Sequence, residues 1–216
     1  MEKFDIVIAG GGYVGMSTAL SIKLAAPHLS ILLVDPAPPL SKRKMLDLRA
    51  SAIALAAQKM LDQLGVWDTL KEQAQPINDM IVTDSKTGDA VRPVYLTFDQ
   101  KVEDDQPFAH MVPNGAMVAA LEERAQVLGV DIRYHESVVD FEERPASMQM
   151  TLKSGNDVEA NLLIAADGVK SGLRSIAGIK TIHWDYGQSG IVTTVAHEKP
   201  HEGLSLIHIS SPRDRG

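Results

Sequence analysis

The stretch DIVIAGGGYVGMSTALSIK, residues 5–23, decides the fold. With the preceding Phe4, its first part is a short, β-branched, apolar run, the pattern of a strand buried on both faces of a parallel sheet. Its last part has helical spacing and is predicted to stop near Pro27. Between them Gly10, Gly12 and Gly15 form G-x-G-x-x-G. Gly10 permits a tight turn, Gly12 lets backbone approach a pyrophosphate, and Gly15 lets helix pack on strand. The helix N-terminus then offers unpaired N–H groups and a partial positive charge. Residues 30–35, SILLVD, read as a second buried strand and complete a βαβ unit. Asp35 ends that strand about twenty residues past the loop, where an acid accepts from a ribose hydroxyl and disfavours a 2′-phosphate. Together these features predict a dinucleotide site and disfavour NADP there.

Composition narrows the partners. The chain has 216 residues, 44% hydrophobic and 23% charged, ordinary for a soluble globular protein with a real core. A net charge of -7 argues against nucleic acid as a partner. The chain has no cysteine, which excludes disulfides, thiolate zinc and a thiol nucleophile and fits a reducing cytoplasm. No secretory leader is expected before the first strand, and the first apolar run breaks into glycine too early to cross a bilayer. Peripheral contact with the inner membrane stays open, since a small apolar patch suffices.

Further along, residues 51–67 (SAIALAAQKMLDQLGVW) read as an amphipathic helix closed by Gly65. Residues 77–96 read as an antiparallel hairpin with Gly88 in its turn, followed by a charged loop. Residues 114–129 are the next predicted helix, with Asn114 near its start, as a cap or a cofactor contact, and Gly129 closing it. Short strands are predicted at 130–135, 137–143, 147–157 and 160–168, a short helix at 171–178, and a strand at 189–198, SGIVTTVAHE.

Residues 162–174, LLIAADGVKSGLR, run from a buried strand into Asp167-Gly168, then Ser171 and Arg174. Taken alone, this is a strand-end turn with a capping serine and a surface charge. It also resembles the D-G-x-x-S-x-x-R motif of the FAD-dependent aromatic hydroxylases, the single-component flavin monooxygenases, a pairing that nicotinamide dehydrogenases lack. From Phe4 to about Gly203 the chain is similar to their ubiquinone-biosynthesis branch, the 2-polyprenylphenol hydroxylases, with residues 47–67 and 186–203 as further matches.

The resemblance implies an α/β fold: a Rossmann-like FAD-binding domain of the p-hydroxybenzoate hydroxylase type with a β-rich substrate domain. It places Gly10, Gly12 and Gly15 against the FAD pyrophosphate and Asp35 at the adenosine ribose. Arg49 would reach the cofactor, against the plain reading of a solvated basic loop. Asp167 would lie near the pyrophosphate, with Gly168 allowing close approach. NAD(P)H is implied as reductant, and the reaction as hydroxylation of a polyprenylated phenol with O2. The alternatives are a flavin hydroxylase of another small aromatic and a non-catalytic dinucleotide-binding remnant. Implied partners are a phenolic substrate and, left open, a membrane surface or a ubiquinone-biosynthesis complex. No catalytic base is named, and His110, His135 and His183 are expected to be structural or exposed.

His197, Glu198 and His201 spell H-E-x-x-H, the zinc-protease pattern. Pro200 between the histidines breaks the helix such a site needs, so no metal site is expected. The chain also lacks the family's third motif, a G-D-A-x-H turn. Residues 1–70 and 107–180 are expected to form the FAD-binding domain, and 71–106 and 181–203 part of the substrate domain. Residues 204–216, LSLIHISSPRDRG, are expected to fit no completing strand. LSLIHIS resembles a translated sequencing adapter, so this tail is expected to be non-native and the chain a C-terminally truncated fragment, inactive alone.

Overall fold

The computed structural model describes residues 1–42, 49–85, 90–98 and 106–210. The predicted βαβ unit is present: β1 (Glu2–Ala9), α1 (Tyr13–Ala25) and β2 (Ile31–Asp35). The next part of the chain holds β3 (Ala50–Ala54), α2 (Leu55–Gln63), α3 (Trp67–Leu70), β4 (Gln75–Ile77), β5 (Asp79–Ser85) and β6 (Val94–Phe98). Then come β7 (Ala109–Pro113), α4 (Asn114–Val127), β8 (Asp131–Tyr134), β9 (Val138–Glu143), β10 (Met148–Leu152), β11 (Asp157–Ala165), α5 (Gly172–Ile176) and β12 (Leu204–Ser210).

The main sheet has six strands in the order β8-β2-β1-β11-β10-β9. Its first four run parallel, and β9–β10–β11 form an antiparallel meander. Side chains alternate across the pleat, so β1 and β2 each feed two cores. Ile6, Ile8, Ile31 and Leu33 pack with Met16 and Leu20 of α1 and Leu121 and Ala125 of α4. Val7, Ala9, Leu32 and Val34 pack on the opposite face with Met150, Leu152, Val158 and Leu173. Coverage on both sides explains why these strands read as unbroken apolar runs. Each fully buried side chain of this size contributes roughly 1.5–3 kcal/mol from leaving water.

Two smaller sheets flank this one, β3-β7-β4 and β12-β5-β6. They contain the departures from expectation. The predicted helix at 51–67 begins only at Leu55, because Ala50–Ala54 pairs antiparallel with Ala109–Pro113. That partner lies far along the chain and supplies hydrogen bonds that no local pattern announces. Gly65, with φ of +72°, does close the helical stretch. The hairpin β5–β6 is antiparallel as expected, and its Gly88 turn lies outside the described residues.

Two expectations are overturned. Residues 189–198 form no strand, and Ile191 is 94% exposed. β-branched composition makes a strand only where a neighbouring strand supplies the ladder, and among the described residues no strand pairs with this stretch. Conversely, Leu204–Ser210, expected to fit no strand, forms β12 and pairs in parallel with Asp79–Ser85.

The turn after β1 is tight enough to be tested. A Cβ on Gly15 would stand 1.9 Å from the Gly10 carbonyl oxygen, a backbone atom that cannot swing aside. Gly15→Ala is expected to cost about 2–3 kcal/mol in denaturant unfolding, the scale of an overpacked core. A change below about 0.5 kcal/mol would show that the helix does not seat on this turn.

Candidate functional site

The strand ends are joined by backbone. The Gly10 N–H donates to the Val34 carbonyl, and the Ala166 N–H to the Ala9 carbonyl, both at 2.8 Å. Gly10 has φ of +113°, and a Cβ there would lie 2.2 Å from the Ala166 oxygen. Only glycine lets the corner after β1 approach the corner after β11 this closely. The carboxyl ends of β1, β2 and β11 therefore open into one cleft of about 460 Å³, where open α/β sheets take their ligands. Gly10, Gly12, Asp35, Asp167 and Gly168 all line it. The two corners picked out by sequence share a single site.

The cleft suits a diphosphate on structural grounds. Gly12 precedes α1 with no side-chain cap, and no acidic residue stands in the first turn of the helix. Those first-turn N–H groups face outward without an intrahelical acceptor. A Cβ built on Gly12 meets nothing within 4 Å, so the space above it is free for a ligand. Gly15 lies beneath, in the packing of α1 on the turn.

Two carboxylates flank these donors. Asp35 is buried; its Oδ2 accepts from the Gly11 N–H at 2.6 Å and its Oδ1 from the Ala37 N–H at 2.7 Å. Asp167 accepts from the Leu173 N–H at 3.2 Å. Burial pushes the Asp167 carboxyl up, but the Ser171 hydroxyl and the N–H groups of Leu173 and Gly172 outweigh it and hold it below the ordinary value. Ser171 caps α5 by accepting from the Arg174 N–H at 3.0 Å, and the Arg174 guanidinium donates to the Val169 carbonyl at 2.8 Å. Gly168 has φ of +90°. The second motif is thus a self-capped turn and, through Asp167 and Gly168, a wall of the cleft. Backbone donors suit phosphate oxygens, and ionised carboxylates suit ribose or polyol hydroxyls.

Arg49 stands apart. It is exposed just ahead of β3, its carbonyl accepts from the Asn114 N–H at 2.9 Å, and it does not line the cleft. Asn114 is the first residue of α4, and its side chain accepts from the Ser51 hydroxyl at 2.7 Å, tying β3 to the helix. Sequence reasoning missed Ser137 and Val138, which line the cleft from the start of β9. The parallel pairing of β8 with β2 and the pairing of β9 with β10 bring them there, and no local signal marks them. His197 and His201 sit around a bend, edge to face with centroids 5.7 Å apart, and not on a helix. Among the described residues no three His, Asp or Glu side chains are grouped to hold a metal ion.

Two variants separate binding from folding. Gly12→Ala is expected to leave unfolding free energy within about 0.5 kcal/mol, since the space is open, while weakening ADP or FAD binding roughly tenfold or more in a calorimetric titration. Asp167→Asn probes the pH response. A carboxyl held low in the fold adds stability above its ordinary value of 3.8 and loses it as the pH falls through the folded value. The stability gap between wild type and D167N, from denaturant titrations over a pH series, should be widest above 3.8 and shrink below it. A gap that widens toward acid contradicts this.

A family model described as FAD binding domain matches residues 3–214. The chain is 35% identical over 210 residues to a ubiquinone hydroxylase, UbiL, of Rhodospirillum rubrum, covering 94% of this chain and 46% of that one. It is 34% identical over 218 residues to a mitochondrial ubiquinone biosynthesis monooxygenase of Danio rerio, covering 93% and 44%. The chain thus spans about half the length of the curated relatives it matches. Its fold is that of p-nitrophenol 4-monooxygenase PnpA from Pseudomonas putida, with a TM-score of 0.69 at 22% identity, over 82% of this chain and 44% of that one. With both corners meeting in one cleft and the match running over nearly all its residues, the chain belongs to the FAD binding domain family, with FAD as its cofactor.

Proposed function

We propose that this chain acts within an FAD-dependent monooxygenase that hydroxylates a polyprenylated phenol in ubiquinone biosynthesis, with NAD(P)H as reductant and O2 as co-substrate. The shared cleft carries the reading, because it joins the glycine loop and the D-G corner around one dinucleotide site. The names of the relatives from Rhodospirillum rubrum and Danio rerio support the substrate class.

In this reading the first-turn N–H groups of α1 and the backbone at Gly10 and Gly12 hold the pyrophosphate. Asp35 accepts from the adenosine ribose, and Asp167 with Gly168 bounds the other side. Arg49 enters as a contact beyond the cleft. Bound FAD supplies the redox chemistry, so the chain's own work is to orient the cofactor and keep water from it. Residues 1–70 and 107–180 serve the cofactor. Residues 71–106 and 181–203 belong to a β-rich part that faces the substrate, which β12 joins through β5. The working place is the cytoplasm, with the substrate's polyprenyl tail favouring contact with the inner membrane surface. Among the described residues no helix is long and apolar enough to cross a membrane.

The test is a titration of the chain with FAD, followed by NAD(P)H oxidation assays on the chain alone and on the longer monooxygenase it acts within, with a polyprenylated phenol and with a small soluble phenol. The expected result is saturable FAD binding, no hydroxylation by the chain alone, and oxidation by the longer enzyme stimulated by the polyprenylated phenol, with product heavier by one oxygen atom. Stimulation by the small phenol alone favours a different aromatic hydroxylase. FAD binding with no stimulation by either favours a non-catalytic dinucleotide-binding chain.

A further inference from the structure

One member of the glycine run has no role so far. Gly11 occupies a position that the G-x-G-x-x-G pattern leaves open to any residue. It is not among the residues lining the cleft, and its φ does not fall in the left-handed region. Neither ligand space nor backbone conformation therefore calls for glycine. Asp35 does. A Cβ on Gly11 would lie 2.8 Å from Asp35 Oδ2, 2.9 Å from its Cβ and 3.1 Å from its Cγ. Rotating the carboxylate relieves only the first of these, because the Asp35 Cβ is fixed to the end of β2.

The same pair is bonded as well as crowded. The Gly11 N–H donates to Asp35 Oδ2 at 2.6 Å, and the Ala37 N–H holds Oδ1 at 2.7 Å. With one backbone donor on each oxygen, the carboxylate cannot turn without breaking a charge-assisted bond. Each oxygen keeps a further lone pair. Asp35 lines the cleft, so those lone pairs are available to a ligand there.

We infer that Gly11 and Asp35 are a matched pair: the missing side chain at Gly11 seats the Asp35 carboxylate against the glycine loop and aims its free lone pairs at the ribose of a bound dinucleotide. Gly11 is a positioning residue that reaches the ligand only through Asp35. The inference rests on the dinucleotide reading of the cleft and adds to it the group that sets ribose recognition.

The experiment is a calorimetric titration of wild type, G11A, D35A and G11A/D35A with ADP and with 2′,3′-dideoxy-ADP, which lacks the ribose hydroxyls. Wild type should prefer ADP by roughly tenfold, the scale of a hydrogen bond to a charged group. G11A should lose that preference while its affinity for the dideoxy nucleotide stays within about twofold of wild type. The double variant should be no worse than D35A, because the two changes act through one group. Equal affinity of wild type for the two nucleotides, or a full preference kept by G11A, overturns the inference. Failure of wild type to bind either nucleotide would instead strike the dinucleotide reading. The pairing then stands or falls on hydrogen exchange of the Gly11 amide in wild type. Slow exchange supports the pair, and exchange as fast as a free loop amide overturns it. The same measurement decides the matter should G11A fail to fold.

Discussion

Everything in the site depends on how closely two pieces of backbone approach. The turn after β1 meets the turn after β11 at a point where even a methyl group does not fit, and α1 seats on the same turn through Gly15. That contact brings the unpaired N–H groups of a helix start and a carboxylate-bearing corner to opposite sides of one cleft. Side chains there would push the strand ends apart and split the site in two. The glycines are thus a packing requirement first, and the ligand site is its consequence.

The cleft divides its labour by charge. Backbone donors gather at the start of α1, whose first turn carries no acidic residue. The acceptors, Asp35 and Asp167, are each held by backbone N–H groups, which fix their direction. Such an arrangement recognises phosphate and hydroxyl together, which is what a dinucleotide presents. In the proposed reading the redox chemistry resides in the cofactor, and the chain's contribution is to position it.

Parts of this could be read from the residues in order. The βαβ unit, the run of short strands after α4, the glycine loop and the D-G corner are local: turn, strand and helix signals lie within a few positions of one another. Gly10 and Gly15 could be assigned their jobs because a tight turn and a seated helix are properties of their own neighbourhood. The sheet's two-faced burial was equally legible, in the unbroken apolar runs of β1 and β2.

What the order of residues could not decide was which distant segments would meet. Ala50–Ala54 looks like helix until Ala109–Pro113 lies beside it, and SGIVTTVAHE looks like strand but is paired with no strand among the described residues. Ser137 and Val138 reach the cleft through the pairings of β8 with β2 and of β9 with β10, and Gly11 acquires its role only because Asp35 returns to it across 24 positions. Sequence alone determined the local elements and the type of site, since short-range sterics and capping fix both. Tertiary structure decided the partners, because ladder hydrogen bonds and carboxylate contacts depend on which chain segments pack side by side.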